Sequence, residues 1–137
     1  MTTLSVVVPS YNSADFMHRS IDSLLTGGDD VEILIVGAGP AGAAAATTLA
    51  RAGRDVLVVD RARFPRDKCC GDGLTTLALR ELEALGLDPE AVPSWMQVDR
   101  AVVRSPSGRV VEFPLPVGTG TYAAVARRRE LDNELVE

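Results

Sequence analysis

The chain has 137 residues, with 14 Lys and Arg against 19 Asp and Glu, a formal net charge of −5, and 46% hydrophobic residues. That is room for one domain with a core rather than two, and the acidic balance offers no footprint for nucleic acid. No apolar run approaches the roughly 18 residues of a membrane span, and the N-terminus MTTLSVVVPSYNS lacks the basic flank of a secretory signal, so a cytoplasmic location is expected.

Leu4 to Val8 reads as a strand stopped by Pro9. Phe16, Met17, Ile21, Leu24 and Leu25 then recur at helical spacing across Ala14 to Leu25, with Ser13 as N-cap and Gly27 and Gly28 as the stop. Val31 to Val36 is apolar without alternation, the pattern of a parallel strand covered on both faces. Pro40 suits the first turn of the next helix, which runs to about Ala52 and stops at Gly53. Asp55 to Val59 is the third strand. This alternation predicts an α/β fold built on a three-stranded parallel, Rossmann-like sheet of order 1-2-3, with right-handed crossovers and both helices on one face.

A polar loop follows from Asp60 to Gly73, then an amphipathic helix from Leu74 to Leu85 closed by Gly86, and a proline-punctuated link from Asp88 to Trp95. Val98 to Arg104 and Val110 to Phe113, separated by SPSG, read as an antiparallel hairpin, and Tyr122 to Ala126 as a strand. The final RRRELDNELVE begins a helix with no visible end, so an incomplete domain, the start of a truncated protein, is expected.

Gly37, Gly39 and Gly42 form G-x-G-x-x-G between a strand and a helix. The first glycine permits a tight turn, the second lets backbone approach a pyrophosphate, and the third lets helix pack closely on strand. The helix N-terminus, with Pro40 and Ala41 between the glycines, offers amides and partial positive charge to phosphates. Asp60 closes the next strand in VLVVD, where a carboxylate accepts hydrogen bonds from a ribose hydroxyl. Together these point to dinucleotide binding, and their spacing leaves the dinucleotide open. The alternative is that the glycines only make a turn and Asp60 only caps a strand.

From about Ile33 onward the chain resembles the N-terminal part of FAD-dependent oxidoreductases of the geranylgeranyl reductase family. The likeness rests on GAGPAG at 37–42, VLVVDRARFPRDKCCGDG at 56–73 and RRRELD at 127–132. It covers about three-quarters of this chain, and about the first quarter or third of an enzyme of that size. The resemblance implies that Gly37, Gly39, Pro40, Ala41 and Gly42 hold the FAD pyrophosphate, Asp60 the adenosine ribose, and Arg61 the adenine or ribose edge. It places Arg128 on the cofactor from another side, and Cys70 and Gly71 in a loop near the flavin. It further implies reduction of an isoprenoid C=C bond by hydride from reduced flavin, with NAD(P)H as a possible electron donor.

Cys70 could supply the proton or could simply line the pocket; as neighbours, Cys69 and Cys70 frame no disulfide scaffold. The basic run Arg61, Arg63, Arg66 and Lys68 could meet a diphosphate or a nicotinamide nucleotide, although a solvated charged loop is the simpler expectation. The family's later GDA-type FAD motif and its substrate domain are absent, so the chain alone is not expected to catalyse reduction.

Residues 4 to 36 resemble something else, the opening of a family 2 glycosyltransferase, in which VVVPSYN forms a nucleotide-binding turn. There an acidic segment follows the second strand, whereas here EILIV runs into GAGPAG. The chain therefore reads as a hybrid, with a glycosyltransferase-like segment over 1–30 and an FAD-binding segment over 31–137. A nucleotide-sugar-binding remnant and a non-catalytic α/β fragment are the alternative readings. His18 has no ligand-type partner at useful spacing and is expected at the surface, and Trp95 is expected to plug a core.

Overall fold

In the computed structural model, residues 4–9, 19, 22–23, 26, 31–69, 72–116, 120 and 122–137 are described. The chain forms two compact units, one comprising Met1–Arg66 with Asp132–Glu137, the other Asp67–Leu131.

The first unit is built on parallel strands. β1 (Leu4–Pro9) pairs with β2 (Val31–Val36), and β2 with β3 (Val56–Val59), in the order β1-β2-β3. The helix expected over Ala14 to Leu25 lies mostly outside the described residues, although Arg19, Asp22 and Ser23 are helical. His18 also falls outside them.

Successive side chains of a strand point to opposite faces. Ile33 and Ile35 therefore share one face of β2, where they are 0% and 2% exposed against Ala45 and Leu49 of α1 (Pro40–Arg51), with Val56 and Val58 of β3 packed alongside. The alanines of α1 let the helix lie close, and Leu49 supplies the bulk. On the opposite face Val36, Leu57 and Val59 remain exposed. The unalternating run of β2 thus conceals an alternation in burial, with α1 covering the side that bears the isoleucines.

Pro40 occupies the start of α1, as its missing N–H allows. The helix ends in a Schellman motif, in which Gly53 N–H donates to the Ala50 carbonyl and Arg54 N–H to the Leu49 carbonyl at 2.9 and 3.0 Å. Gly53 sits at φ 78°, a left-handed conformation that only glycine adopts without strain.

The second unit holds α2 (Thr76–Leu85), two short ladders and a hairpin. The helix starts at Thr76 rather than Leu74 because Thr75 is extended and its hydroxyl accepts from Ala78 N–H. Gly73–Leu74 instead form β4, antiparallel to β8 (Ala124–Val125), which also pairs with β5 (Met96–Gln97). The strand expected over Tyr122 to Ala126 is therefore shorter. The one expected over Val98 to Arg104 begins later, as β6 (Arg100–Arg104), while Met96–Gln97 ahead of it form β5.

β6 pairs with β7 (Val110–Pro114) through a turn closed by Gly108 N–H on the Ser105 carbonyl. Among the described residues, Leu79, Leu82, Val92, Ala124, Ala126 and Leu131 are the buried apolar ones of this unit. Trp95 is only half-buried and lines a cavity of about 580 Å³ with Leu79, Leu82 and Tyr122, so it is not the plug expected of it.

The last helix, α3 (Arg128–Glu134), is followed by a turn in which the Val136 and Glu137 amides both donate to the Asn133 carbonyl. Its start is held by an interlocked pair of bonds. Arg127 N–H donates to Ser94 Oγ at 2.9 Å, and Ser94 N–H donates to the Glu130 carboxylate at 2.7 Å. This repeats the reciprocity of a capping box with a residue from a distant loop. The Ser94 side chain beside it is the main reason that the Glu130 carboxyl lies below its ordinary range; burial opposes the shift, and the Ser94 N–H and the charges of Arg127 and Arg129 add to it.

Gly53→Ala tests the helix-end geometry without a steric complication, because no heavy atom lies within 4 Å of the added Cβ. The substitution should cost about 1–2 kcal/mol, read as a lowered urea midpoint with an unchanged slope.

Candidate functional site

The turn from β2 into α1 is defined by three glycines with three different physical requirements. Gly37 has φ 105°, forbidden to most side chains, and its N–H continues the ladder by donating to the Val59 carbonyl at 2.7 Å. Gly42 faces the turn so closely that a Cβ there would lie 1.8 Å from the Gly37 carbonyl oxygen. Gly39 is different. Its φ is −72°, open to any residue, and a Cβ would meet nothing closer than Arg66 Nη2 at 3.4 Å, an ordinary contact.

Gly39 is also the N-cap of α1, with no side chain bonding back to the helix. Ala43 N–H is the first to turn back, to the Gly39 carbonyl, and Pro40 has no N–H. The first-turn donors without an acceptor inside the helix are the amides of Ala41 and Gly42.

Asp60, just beyond β3, binds this turn with both oxygens. Oδ2 accepts from Ala38 N–H and Oδ1 from Ala62 N–H, each at 2.8 Å. Ala38 is 8% exposed, so its amide has little access to water. These two bonds, Ala62 first and Ala38 second, hold the Asp60 carboxyl below its ordinary value of 3.8; burial opposes them, and the charges of Arg66 and then Arg61 add to them.

The structure also assembles a pair that spacing alone did not reveal. Arg66 Nη1 lies 3.1 Å from Asp132 Oδ2, with side-chain exposures of 17% and 0%, and the guanidinium sits over the Phe64 ring, 4.9 Å from its centroid. Arg66 is therefore not part of a solvated run, whereas Arg61, Arg63 and Lys68 are exposed. The available signal was weak: Asp132 ends RRRELD at 127–132, and Arg66 follows Pro65 in RARFPRDK at 61–68.

Cys70 and Gly71 lie outside the described residues, and Cys69 is an exposed free thiol. Arg128 belongs to the second unit, half-buried at the start of α3, where its N–H donates to Asp72 Oδ1 at 3.4 Å.

A parallel strand, a glycine turn and an uncapped helix start, braced by a carboxylate from the next strand, define a dinucleotide-binding α/β unit. The FAD binding domain family matches residues 30–106, and the chain belongs to that family. It is 48% identical over 109 residues to menaquinone reductase of Mycolicibacterium smegmatis, covering 76% of this chain and 25% of that protein. Over 108 residues it is 35% identical to digeranylgeranylglycerophospholipid reductase 2 of Methanopyrus kandleri, covering 78% of this chain and 25% of that one. The crystal structure of a flavoprotein/dehydrogenase from Cytophaga hutchinsonii superposes with a TM-score of 0.63 at 27% identity, covering 77% of this chain and 26% of its own. The chain thus spans about a quarter of the length of these relatives. No described helix is long and apolar enough to cross a membrane.

Asp60→Ala leaves the Ala38 and Ala62 amides without their acceptor and should destabilise the chain by about 1–3 kcal/mol, while Asp60→Asn, which keeps one acceptor oxygen, should lose less. The Asp60 carboxyl is depressed in the folded chain, so its contribution is present above pH 3.8 and is lost as pH falls through the lower folded value. The gap in urea midpoint between wild type and Asp60→Asn should accordingly be largest at about pH 7 and shrink in acid. A gap independent of pH would contradict this origin.

Proposed function

We propose that this chain is the ADP-binding part of an FAD-dependent reductase that acts on lipids with polyisoprenoid chains. The observation carrying the reading is Gly39: neither its backbone angles nor its neighbours in the protein require glycine, and the space kept there opens onto the start of α1. A ligand whose backbone-hugging group would collide with a Cβ accounts for it, and a pyrophosphate on the Ala41 and Gly42 amides is such a group. Asp60 fits the same ligand. A carboxylate has about four acceptor positions, and the two amide bonds leave room for ribose hydroxyls.

In this reading Gly37, Gly39, Pro40, Ala41 and Gly42 receive the pyrophosphate, Asp60 orients the ribose and Arg61 lies at the adenine edge. Arg128, Cys70 and Gly71 serve the flavin end, with Cys70 either donating a proton or lining the pocket, and NAD(P)H supplies the electrons. The cofactor, once reduced, would supply the hydride and be left as oxidised FAD; the residues here would bind and orient the cofactor. The substrate class comes from what the two named relatives share, since menaquinone and digeranylgeranylglycerophospholipid both carry isoprenoid chains. The glycosyltransferase-like start enters as an edge strand, β1 against β2, adding burial rather than chemistry.

Calorimetry on the purified chain should show FAD and ADP binding and no UDP binding. Gly39→Ala, which the fold accommodates, should leave the melting temperature unchanged and weaken ADP by at least about tenfold. Absence of both FAD and ADP binding would overturn the cofactor reading. In a protein with the full length of the relatives, reduced flavin should reoxidise anaerobically on adding an isoprenoid lipid with C=C bonds and not on adding its saturated form.

A further inference from the structure

We infer that Arg66 binds the cofactor's pyrophosphate, presenting Nη2 across the gap at Gly39, and that buried Asp132 is the positioning residue that holds it there. The inference rests on the dinucleotide reading above and extends it to two residues on elements outside the glycine turn.

Arg66 Nη2 is the atom nearest to the Cβ position left open at Gly39, 3.4 Å away, so the guanidinium faces the ground that the pyrophosphate would take. Its attitude is fixed from two other sides. Asp132 Oδ2 stands 3.1 Å from Nη1, and the Phe64 ring lies beneath the guanidinium at 4.9 Å. A guanidinium carries five N–H donors. Among the described residues Asp132 is its one ionic partner, and even Nη1, buried from solvent, completes no hydrogen bond. Among the described residues, the nitrogen nearest Gly39 has no hydrogen-bond partner.

Stability alone does not account for the arrangement. Asp132 is fully buried, and burying an ion pair gains little or nothing over a well-packed apolar pair. What such a pair provides is geometry: a flexible side chain held in one orientation before a ligand arrives. The charge reaches the site, since Arg66 is among the groups lowering the Asp60 carboxyl. Arg61, Arg63 and Lys68, equally basic, are exposed.

The test compares ADP with adenosine, which lacks the phosphates, on wild type, Arg66→Lys and Asp132→Asn, with thermal melts recorded alongside. Lysine retains a charge for Asp132 but not the planar fork. ADP affinity should fall about 10- to 100-fold in Arg66→Lys, the size of a lost charged hydrogen bond, with adenosine affinity unchanged. Asp132→Asn should lower ADP affinity in the same selective way. If either variant fails to fold, the double replacement Arg66→Met with Asp132→Leu, which leaves no unpaired buried charge, should show the same selective loss. Equal loss for both ligands, or full retention of ADP binding while wild type binds ADP, would overturn the role of Arg66. A wild-type chain that binds neither ADP nor FAD would overturn the cofactor reading and this inference with it.

Discussion

The site depends on a contact too close for any side chain. Gly42, in the first turn of α1, stands against the Gly37 carbonyl at a distance where a Cβ would be 1.8 Å from oxygen. Because nothing intervenes, the helix begins directly over the end of β2, and its first-turn amides and the turn that precedes it form one continuous surface. A larger residue would lift the helix away and separate the two. The isoleucine, alanine and leucine core beneath sets the helix on the sheet; the glycine contact sets where the helix starts.

Asp60 makes that surface rigid. Loops between strand and helix ordinarily leave some amides to water, but here a carboxylate at the end of the neighbouring strand takes the buried Ala38 amide with one oxygen and turns its own chain through Ala62 with the other. The bond spans 22 residues of sequence, so it fastens the turn after β2 to the turn after β3. Asp60 therefore has a structural duty before any ligand arrives. That duty is compatible with binding ribose, because a carboxylate has acceptor positions to spare.

The charged groups nearby divide by burial rather than by type. Arg61, Arg63 and Lys68 are exposed, where charge is screened and side chains are mobile. Arg66 is drawn inward by an aspartate with no exposure and by an aromatic ring. One arginine among similar neighbours becomes a fixed cation because of its partners, not because of its own chemistry.

Sequence alone sufficed for the features governed by local rules. The strand at Val31–Val36, the helix opened by Pro40 and stopped at Gly53, and the helix closed by Gly86 follow from apolar runs and from φ preferences within a few residues. The G-x-G-x-x-G spacing and the acid at the end of VLVVD are local as well. Tertiary structure decided what depends on residues far apart: that the isoleucine face of β2 is the one buried against a helix, that Thr75 and the short pairing of Gly73–Leu74 delay a helix, and that Asp60 bonds Ala38. It also brought Arg66 to Asp132, 66 positions apart in number, in a pairing that no periodicity encodes. The physical reason is common to all of these: backbone preference acts over one turn or one strand, whereas burial and ion pairing are fixed only once separate segments share the same space.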